Sequence, residues 1–463
     1  MTSIRFLGAN REVTGSSYIL DHNGFKVMVD CGSYQEEDLE HRNYDDFLFD
    51  PKEINTFILT HSHLDHCGLI PKLIKHGFSG NIYLTPPSKD IFEITAFDSA
   101  KIQKEDNINA GKKIIYNSAD VVESLSKCKT IEFGEVIELE KDFHFSLRNT
   151  GHILGAGYIV MDIEDKTVIF SGDVGSKWQS ISQFITPISK KVDFLVIEST
   201  YGNSLHMARE ESENEFVDTI KQTVSRGGNI IMPTFSIERA QELLYTLRKL
   251  KIANRIPNVP IYLDSPMASK VTKVFVKFPK EFGEDARKIF EAGQNPFFVD
   301  NLRYVNMSQK SKKIASKNTL KGQHDSKKSY IVLAGSGMCT GGRILGYLKK
   351  NLPLSKNTVI FPGFQANGTL GREIKDGAKS VVIYGEEVKV NAEIRTMGSF
   401  SAHGDRDDLL NWVSTAEGGK IGKRVYVTHG DEDISLQFAE TLKEKGMADE
   451  VEVPYFNTVH ELW

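Results

Sequence analysis

The sequence is poor in cysteine and lacks long apolar runs, and each shortage excludes a class of protein. Four cysteines occur among the 463 residues, at Cys31, Cys67, Cys128 and Cys339. None forms a Cys-x-x-Cys pair, which excludes a disulfide framework and argues against a structural zinc finger. No stretch approaches the apolar length that spans a bilayer, and the N-terminus lacks the apolar core of a signal peptide. We therefore predict a cytoplasmic protein with no membrane partner.

An excess of basic charge is also lacking. The 62 acidic side chains outnumber the 57 of lysine and arginine, so the formal net charge at pH 7 is −5. Phosphate affinity comes from clustered Lys and Arg, so the chain as a whole is not a non-specific nucleic-acid binder. The run from Lys310 to Lys328, with seven lysines and one acid, could supply a local basic surface, although such runs are more often solvated loops.

What is present is a pattern of short apolar strands that alternate with helices, which predicts an α/β fold. Residues 1–205 are predicted to form the first part of one layered domain. Residues 206–380 read as repeated βα units, and they predict an inserted domain with a doubly wound parallel sheet. Residues 381–463 return to the style of the first part, with RTMGSFSAHGD followed by KRVYVTHGD, and they predict its second part.

The sharpest signal is the segment THSHLDH, which follows a predicted buried strand and precedes a predicted helix. On an extended segment His61 and His63 point to the same side, while Asp65 and His66 turn with the chain at the helix start. Two ligand pairs at short range suit two neighbouring metal ions. Imidazole with carboxylate suits zinc, with manganese or iron as alternatives. A lone histidine is usually an ordinary surface or core residue, but four such residues in this pattern favour a metal site.

Five further residues of suitable type lie at predicted strand ends: His152, Asp173, Glu198, His403 and His429. Taken singly, Asp173 could be a turn residue and Glu198 a helix cap or an ion-pair partner. Glycines beside four of the five let the backbone approach a crowded centre without a Cβ clash. Taken together, these residues favour one metal centre built from distant segments.

The segment from His61 to His66, followed by single His, Asp and His residues, resembles the metallo-β-lactamase superfamily. Glu198, the SAH that ends at His403 and the VTHG around His429 further resemble its β-CASP branch of nucleases. The resemblance covers nearly the whole chain. It implies a metallo-β-lactamase αββα sandwich with an inserted β-CASP α/β domain. Since neither end carries a visible RNA-binding module, the expected form is the compact bacterial one.

The same resemblance implies two Zn²⁺ ions, with Mn²⁺ as the alternative. Two sets of three side chains would each hold one ion: His61, His63 and His152 the first, and Asp65, His66 and His429 the second. Asp173 would bridge the two ions. Asp30, at the end of a predicted strand, would orient the ligands rather than bind metal, as carboxylates around metal sites commonly do.

For function, the resemblance implies a ribonuclease of RNA processing or decay that acts on single-stranded RNA. Two ions can activate water near neutral pH and stabilise an in-line displacement at phosphorus. Asp65 would also steer the attacking group, and His403, held by Glu198, would protonate the leaving 3′ oxygen. The products would be a 5′-phosphate and a 3′-hydroxyl. In the family a histidine at the position of His403 goes with RNA substrates, which favours RNA over DNA.

The inserted domain is expected to bind the RNA strand. The candidate phosphate-binding residues are Ser236, Arg239, Ser336 and Arg372. Ser236 and Arg239 lie where a helix begins after a strand, so backbone amides and the guanidinium could hold a phosphate. Ser336 and Arg372 lie in or beside glycine-rich turns, which are as often structural as functional.

Three other functions stay open at this point. A small-molecule metallohydrolase of the same superfamily would usually lack an inserted domain of this size and counterparts of Glu198 and His403. A non-catalytic scaffold would have lost ligands, whereas every ligand position here is filled. A DNA nuclease is the nearest rival, and only a substrate assay separates it. The sequence is compatible with endonuclease or exonuclease action and with a homo-oligomer.

Overall fold

The computed structural model describes residues 1–36, 38–110, 113–305, 328–397 and 400–463. The predicted basic run from Lys310 lies outside these residues apart from Lys328 at its end. By their contacts, the described residues form two compact units. The first unit comprises Met1–Lys177, Ser182–Leu205 and His403–Trp463, and the second comprises Trp178–Ile181 and His206–Ala402.

The secondary structure alternates strands and helices along most of the chain. The strands are β1 Thr2–Gly8, β2 Ser17–His22, β3 Phe25–Cys31, β4 Thr56–Ile58, β5 Asn81–Leu84, β6 Cys128–Thr130, β7 Val136–Glu140, β8 Phe143–Asn149, β9 Gly157–Ile163, β10 Lys166–Phe170, β11 Phe194–Glu198, β12 Ile230–Pro233, β13 Ile261–Asp264, β14 Leu302–Tyr304, β15 Ile331–Ala334, β16 Thr358–Phe361, β17 Ser380–Ile383, β18 Glu386–Lys389, β19 Glu393–Thr396, β20 Ile421–Thr428, β21 Ala448–Glu452 and β22 Thr458–Glu461. The α-helices are α1 Leu64–Cys67, α2 Ile70–Lys75, α3 Pro86–Ala110, α4 Ser118–Lys127, α5 Arg209–Ser225, α6 Arg239–Ile252, α7 Pro266–Lys277, α8 Glu284–Glu291, α9 Ile344–Asn351, α10 Leu370–Lys375, α11 Arg406–Val413 and α12 Glu432–Glu444.

The first unit is built around two seven-stranded sheets, in the orders β22-β1-β2-β3-β4-β5-β6 and β21-β20-β11-β10-β9-β8-β7. Apolar side chains of both sheets, such as Phe6 and Phe145, share one buried cluster, so the sheets pack face to face. Helices α2, α3 and α4 cover the outer face of the first sheet. Helices α11 and α12 cover the outer face of the second. The layers therefore follow the predicted αββα order.

Strand direction gathers the polar residues of the first unit. Strands β3 and β4 pair in parallel, and β10, β11 and β20 form a parallel set in the second sheet. The carboxyl ends of parallel strands meet at one edge of a sheet, which is where layered folds place their sites. The ends of these strands, or the segments just beyond them, carry Asp30, His61, Asp173, Glu198 and His429.

The second unit contains a six-stranded sheet in the order β14-β13-β15-β12-β16-β19, and every pair in it is parallel. Strands β12, β13, β15 and β16 are buried along their whole length. Such continuous apolar runs are typical of parallel strands covered on both faces. Helices α5, α6 and α7 share one core cluster with the sheet, and α9 and α10 share another. This is the predicted doubly wound sheet.

The second boundary between the units differs from the one predicted at residue 380. Strand β19, Glu393–Thr396, pairs in parallel with β16, so it extends the sheet of the second unit. Residues 381–402 therefore belong to the second unit by their contacts, and the first unit resumes at His403. The half-buried sequence EIRT carries no pattern that assigns it to either sheet. The residue at which the chain re-enters the first unit depends on strand pairing, and a local sequence pattern does not show which strands pair.

The described ranges contain no helix that combines the length and the apolar character needed to cross a membrane. All four cysteines are buried, and none forms a disulfide.

Candidate metal centre

The THSHLDH segment leaves strand β4 and enters the single turn of helix α1. His63 stands just before the helix in an extended conformation, with φ −70° and ψ 150°. The extended stretch places His61 and His63 on one side, and the helical turn carries Asp65 and His66 to another. His61 and His66 are buried, whereas the Asp65 side chain keeps 18% of its surface exposed.

One group of donors surrounds His63. Its Nδ1 lies 3.1 Å from His61 Nε2 and 3.2 Å from His152 Nε2. Asp173 Oδ2 lies 3.3 Å from the same nitrogens of His61 and His152. Four donor atoms from three separate segments therefore converge on one point. We call the three histidines, His61, His63 and His152, the first ligand group.

A second group forms on the other side of Asp173. His66 Nε2 and His429 Nε2 are 3.2 Å apart, and Asp65 Oδ2 is 3.6 Å from His429 Nε2. Asp173 Oδ1 lies 3.2 Å from His66 Nε2 and 3.6 Å from His429 Nε2. Asp65, His66 and His429 form the second ligand group. The two oxygens of Asp173 thus face different groups.

The donors fit zinc in chemistry and in spacing. Zn–N bonds of about 2.0–2.1 Å in a tetrahedron put neighbouring donor atoms about 3.3 Å apart, close to the spacing of the first ligand group. Burial and the neighbouring His66 lower the pKa of His61 to about 3, and burial lowers the pKa of His63 to about 4. Both rings are therefore neutral at pH 7, the form in which imidazole binds metal.

Carboxylate charge dominates the second ligand group. Burial alone would raise the pKa of Asp173, but the surrounding histidines, His429 and His66 foremost, hold it well below its ordinary range. Burial alone would lower the pKa of His429, but Asp173 and the hydrogen bond to Asp65 raise it to about 9. A buried carboxylate that stays ionised and favours positive charge on its neighbours has the charge balance of a cation site.

Asp30 lies behind the second ligand group. Its Oδ2 is 2.7 Å from His66 Nδ1 and accepts a hydrogen bond from Thr60 Oγ1 at 2.7 Å. Its Oδ1 accepts a hydrogen bond from the Thr60 amide at 2.8 Å. Because His66 Nδ1 is engaged by Asp30, His66 Nε2 is the nitrogen that faces the ligand group. Asp30 thus contacts His66 of the second ligand group and is itself in none of the candidate metal-binding groups among the described residues. The third such group combines Asp173, Glu198 and His429.

His403 and Glu198 lie beside the first ligand group. His403 Nδ1 is 3.2 Å from both oxygens of Glu198 and 3.8 Å from Asp173 Oδ2. The amide of Val174 donates to Glu198 Oε1 at 2.7 Å and fixes that carboxylate. Burial alone would lower the pKa of His403, but the charges of Glu198 and Asp173 raise it above its ordinary value. The His403 side chain is 19% exposed, so solvent and a substrate can reach it.

Comparison with known proteins assigns the family. The sequence model of the metallo-β-lactamase superfamily matches residues 10–205, that of the Beta-Casp domain residues 240–374, and that of the Zn-dependent metallo-hydrolase RNA specificity domain residues 387–454. Ribonuclease TTHA0252 of Thermus thermophilus is 36% identical over 95% of this chain and 95% of its own length. The chain belongs to the β-CASP family of the metallo-β-lactamase superfamily. The resemblance inferred from the motifs is thereby confirmed, and the His/Asp cluster of this β-CASP chain could hold metal.

One further relative and one solved structure extend the comparison. Transcription termination factor FttA of Methanocaldococcus jannaschii is 31% identical, and the match covers 95% of this chain and 68% of that protein. A crystal structure of a protein of unknown function from Enterococcus faecalis V583 matches with a TM-score of 0.53 at 12% identity, over 99% of both chains. At that identity the likeness concerns the fold alone.

Two of the four predicted phosphate-binding residues, Ser236 and Ser336, lie at the carboxyl end of the β-CASP sheet. Ser236 follows β12, and its Oγ lies 2.9 Å from the Oγ of Ser265, which follows β13. Ser336 follows β15, next to Gly335. A Cβ built on Gly335 would have 3.7 Å or more to its nearest neighbours, among them both serine hydroxyls. The hydroxyls of Ser236 and Ser265 therefore lie beside the backbone of Gly335, and Ser336 Oγ lies 3.3 Å from Thr340 Oγ1.

The two predicted arginines have other surroundings. Arg239 begins helix α6 and is buried, with its Nε 3.7 Å from where a Cβ of Gly363 would lie. Arg372 lies in helix α10, where its Nε donates to Asp376 Oδ2 at 2.7 Å, and its side chain is one-third exposed. An intrahelical pair at the surface contributes little, so Asp376 leaves Arg372 able to exchange partners.

Two hydroxyls that touch ligand rings were not among the predicted residues. Thr60 Oγ1 lies 3.1 Å from His61 Nδ1, and Thr200 Oγ1 lies 3.1 Å from His429 Nδ1. Both stand within two residues of a motif residue, which is the only signal the sequence offered. Threonine at a strand end is common, so that signal does not select these two.

Replacing Gly32 with alanine is expected to disturb the second ligand group and the fold together. A Cβ on Gly32 would lie 1.7 Å from the carbonyl oxygen of Asp65 and 2.9 Å from the amide of His66. Because these atoms are backbone, the segment that carries both ligands must shift. We expect the free energy of unfolding to fall by about 3 kcal/mol, as for severe overpacking. Denaturant unfolding of chelated protein and zinc titration measure the two effects.

The matched control is Gly24→Ala in the β2–β3 turn. Gly24 has φ +91°, and a Cβ there would have nothing within 4 Å. The expected cost is about 1 kcal/mol of backbone strain with unchanged zinc affinity. Equal losses of stability and of zinc affinity in both variants would contradict the prediction for Gly32.

Proposed function

We propose that this chain is a two-zinc ribonuclease that hydrolyses RNA phosphodiester bonds, by endonuclease or exonuclease action, and leaves 5′-phosphate and 3′-hydroxyl ends. The observation that carries the proposal is the position of Asp173, whose Oδ2 faces the first ligand group and whose Oδ1 faces the second. A carboxylate shared by two donor groups suits a pair of ions, and paired ions suit phosphodiester hydrolysis. The match to an RNA specificity domain and a relative named a ribonuclease support RNA as the substrate.

Each ion would have its own ligand group, with Asp173 common to both. His61, His63 and His152 would hold one ion, and Asp65, His66 and His429 the other. Zinc suits these donors best, with manganese as the alternative. When bound, the two ions would supply Lewis-acid activation of water and of a phosphoryl oxygen.

The chain's own residues orient the reaction and move the proton. Glu198 occupies Nδ1 of His403, which makes Nε2 the nitrogen that would face the leaving 3′ oxygen. The raised pKa of His403 favours its protonated form, the form a general acid needs. Asp65, which is partly exposed, would orient the attacking group as well as bind metal.

The β-CASP unit would hold the RNA backbone. Ser236 follows β12 and Ser336 follows β15, so both lie at the carboxyl end of the parallel sheet, where this class of fold binds ligands. Their hydroxyls can donate to phosphate oxygens without reading the bases. Arg239 and Arg372 would add positive charge nearby. We also propose a cytoplasmic site of action, which the four unpaired cysteines support.

The test is cleavage of matched end-labelled single-stranded RNA and DNA of one sequence, with zinc, with chelator, and with zinc restored. We expect cutting of RNA only, its loss with chelator and its return with zinc. Products of an internal cut and of stepwise trimming differ on a denaturing gel, and a 5′-phosphate is detected by its sensitivity to phosphatase. The Asp173→Ala variant, purified in the same way, controls for contaminating nuclease.

Two results would contradict the proposal. Equal cutting of the DNA strand would indicate a nuclease without preference for RNA. Failure of zinc-loaded protein to cut either strand, together with hydrolysis of a thioester or lactone, would indicate a small-molecule metallohydrolase.

A further inference from the structure

The turn Glu198–Thr200, which begins at the last residue of strand β11, contacts two histidines of the centre at once. Its first residue, Glu198, faces His403 Nδ1 with both carboxylate oxygens at 3.2 Å. Its last residue, Thr200, places Oγ1 3.1 Å from His429 Nδ1. The Thr200 amide donates to Glu198 Oε2 at 3.3 Å, so the two contacts are joined within the turn.

The Thr200 hydroxyl lies within hydrogen-bond distance of two atoms of His429, the ring nitrogen Nδ1 and the carbonyl oxygen. A hydroxyl has one proton, and Thr200 Oγ1 can donate it to the carbonyl oxygen of His429 at 3.3 Å. A carbonyl oxygen only accepts, and with the Oγ1 proton directed to it the lone pairs of Oγ1 are turned toward the imidazole. In that arrangement His429 Nδ1 donates the 3.1 Å hydrogen bond, and the ring presents Nε2, the atom in the second ligand group, without a proton, which is the form that can bind an ion.

The same turn also holds the backbone of His429. His429 has φ +51°, a left-handed conformation that is unfavourable for a residue with a Cβ. Its carbonyl accepts from the Ser199 amide at 3.2 Å as well as from Thr200 Oγ1, and its amide donates to the Ala9 carbonyl at 2.7 Å. Strained backbone persists where neighbouring groups fix it, so Thr200 acts on both the ring and the main chain of this residue.

We propose that Thr200 is a positioning residue that fixes the tautomer and the orientation of His429, so that Nε2 is available to the second metal ion. The inference rests on the proposed function in one respect, that His429 binds an ion. Thr200 is 2% exposed. Valine would replace its hydroxyl with a methyl group of similar size, so packing alone would tolerate Thr200→Val. Hydroxyl chemistry and packing thus make opposite predictions for that substitution.

The experiment compares Thr200→Val with Thr200→Ser, which keeps the hydroxyl and loses the methyl group. Zinc affinity is measured by competition with a chromogenic chelator, and zinc per chain is counted after dialysis at a fixed free zinc concentration. Loss of a group that orients a metal ligand typically weakens metal binding about 10–100-fold. We expect Thr200→Val to lose zinc affinity by this factor at one of its two sites, so that zinc per chain falls toward one. We expect the zinc affinity of Thr200→Ser to stay within a few-fold of wild type.

Thr428→Val is the matched control. Thr428 is equally buried and precedes His429, but its Oγ1 contacts Tyr18 OH at 3.1 Å and the Ile197 carbonyl at 3.4 Å rather than the imidazole. We expect this variant to lose some thermal stability without zinc and to keep wild-type zinc affinity. Thermal unfolding of the chelated proteins separates the loss of stability from the loss of metal binding.

Three outcomes would overturn the inference. The first is that Thr200→Val binds two zinc ions with wild-type affinity. The second is that Thr200→Ser loses as much zinc affinity as Thr200→Val, and the third is that Thr428→Val does so. A wild-type chain that binds a single zinc ion would contradict the two-ion proposal instead. In that case the role of Thr200 would be overturned if Thr200→Val bound the single zinc ion with unchanged affinity. It would stand if Thr200→Val bound that ion more weakly.

Discussion

Replacing Asp173 with alanine is expected to remove bound zinc and to lower RNA cleavage by at least about 10³-fold. Asp173 is the residue whose two oxygens face both ligand groups, so its loss takes a donor from each. It also leaves five neighbouring histidines without the carboxylate that balances them. Lewis-acid activation contributes several kcal/mol to such reactions, and each 1.4 kcal/mol is about a tenfold change in rate. Zinc per chain and single-turnover cleavage measure the two losses.

Asp193→Ala is the control for loss of a buried carboxylate. Asp193 is also buried, and its Oδ2 accepts from the Thr167 amide at 3.0 Å, between strands β10 and β11. This variant should be less stable but should keep its zinc and its rate per folded molecule. An Asp173→Ala protein that retains two zinc ions would contradict the assignment of Asp173 as the shared ligand.

Replacing His403 with alanine is expected to leave zinc binding intact and to lower RNA cleavage by about 10²–10⁴-fold, the usual contribution of a general acid. His403 contacts Glu198 and approaches Asp173, but it belongs to neither candidate ligand group. Its loss should therefore leave zinc binding unchanged. The 3′ oxygen would then leave without a proton, which slows cleavage. Loss of zinc from His403→Ala would contradict this role.

The leaving group provides a sharper measurement for His403. Bis(p-nitrophenyl) phosphate releases a weakly basic phenolate that needs no proton, so His403→Ala should lose much less activity on it than on RNA. Glu198→Gln, which keeps the shape and removes the charge, should show the same selectivity in weaker form. His22→Ala is the control. His22 is a buried histidine at the end of strand β2 that contacts Thr2, so its replacement should lower activity on neither substrate. Equal losses on RNA and on the phenyl ester would exclude a general-acid role.

The fold class and the family could be predicted from the sequence because their signals are local. His61, His63, Asp65 and His66 lie within six residues, and that spacing is a motif by itself. The apolar strands and the amphipathic helices of the insertion likewise have short periods, so the parallel sheet followed from them. The αββα layers were implied by the resemblance of the motifs to the superfamily. The second domain boundary did not follow, because strand β19 pairs with β16 across more than thirty residues and its own sequence is neutral.

By itself, the sequence determined the family, the layer order and the types of side chain available to a metal centre. The resemblance of the motifs implied the two ligand sets and the shared Asp173. Only the tertiary structure decided how closely those donors approach one another, which oxygen of Asp173 faces which group, and which nitrogen of His66 and of His429 faces inward. These features depend on contacts such as Asp30 to His66 and Thr200 to His429, which join residues 36 and 229 positions apart. The sequence shows which metal-binding side chains the protein has, but only the packing of the strand ends shows which of them come together.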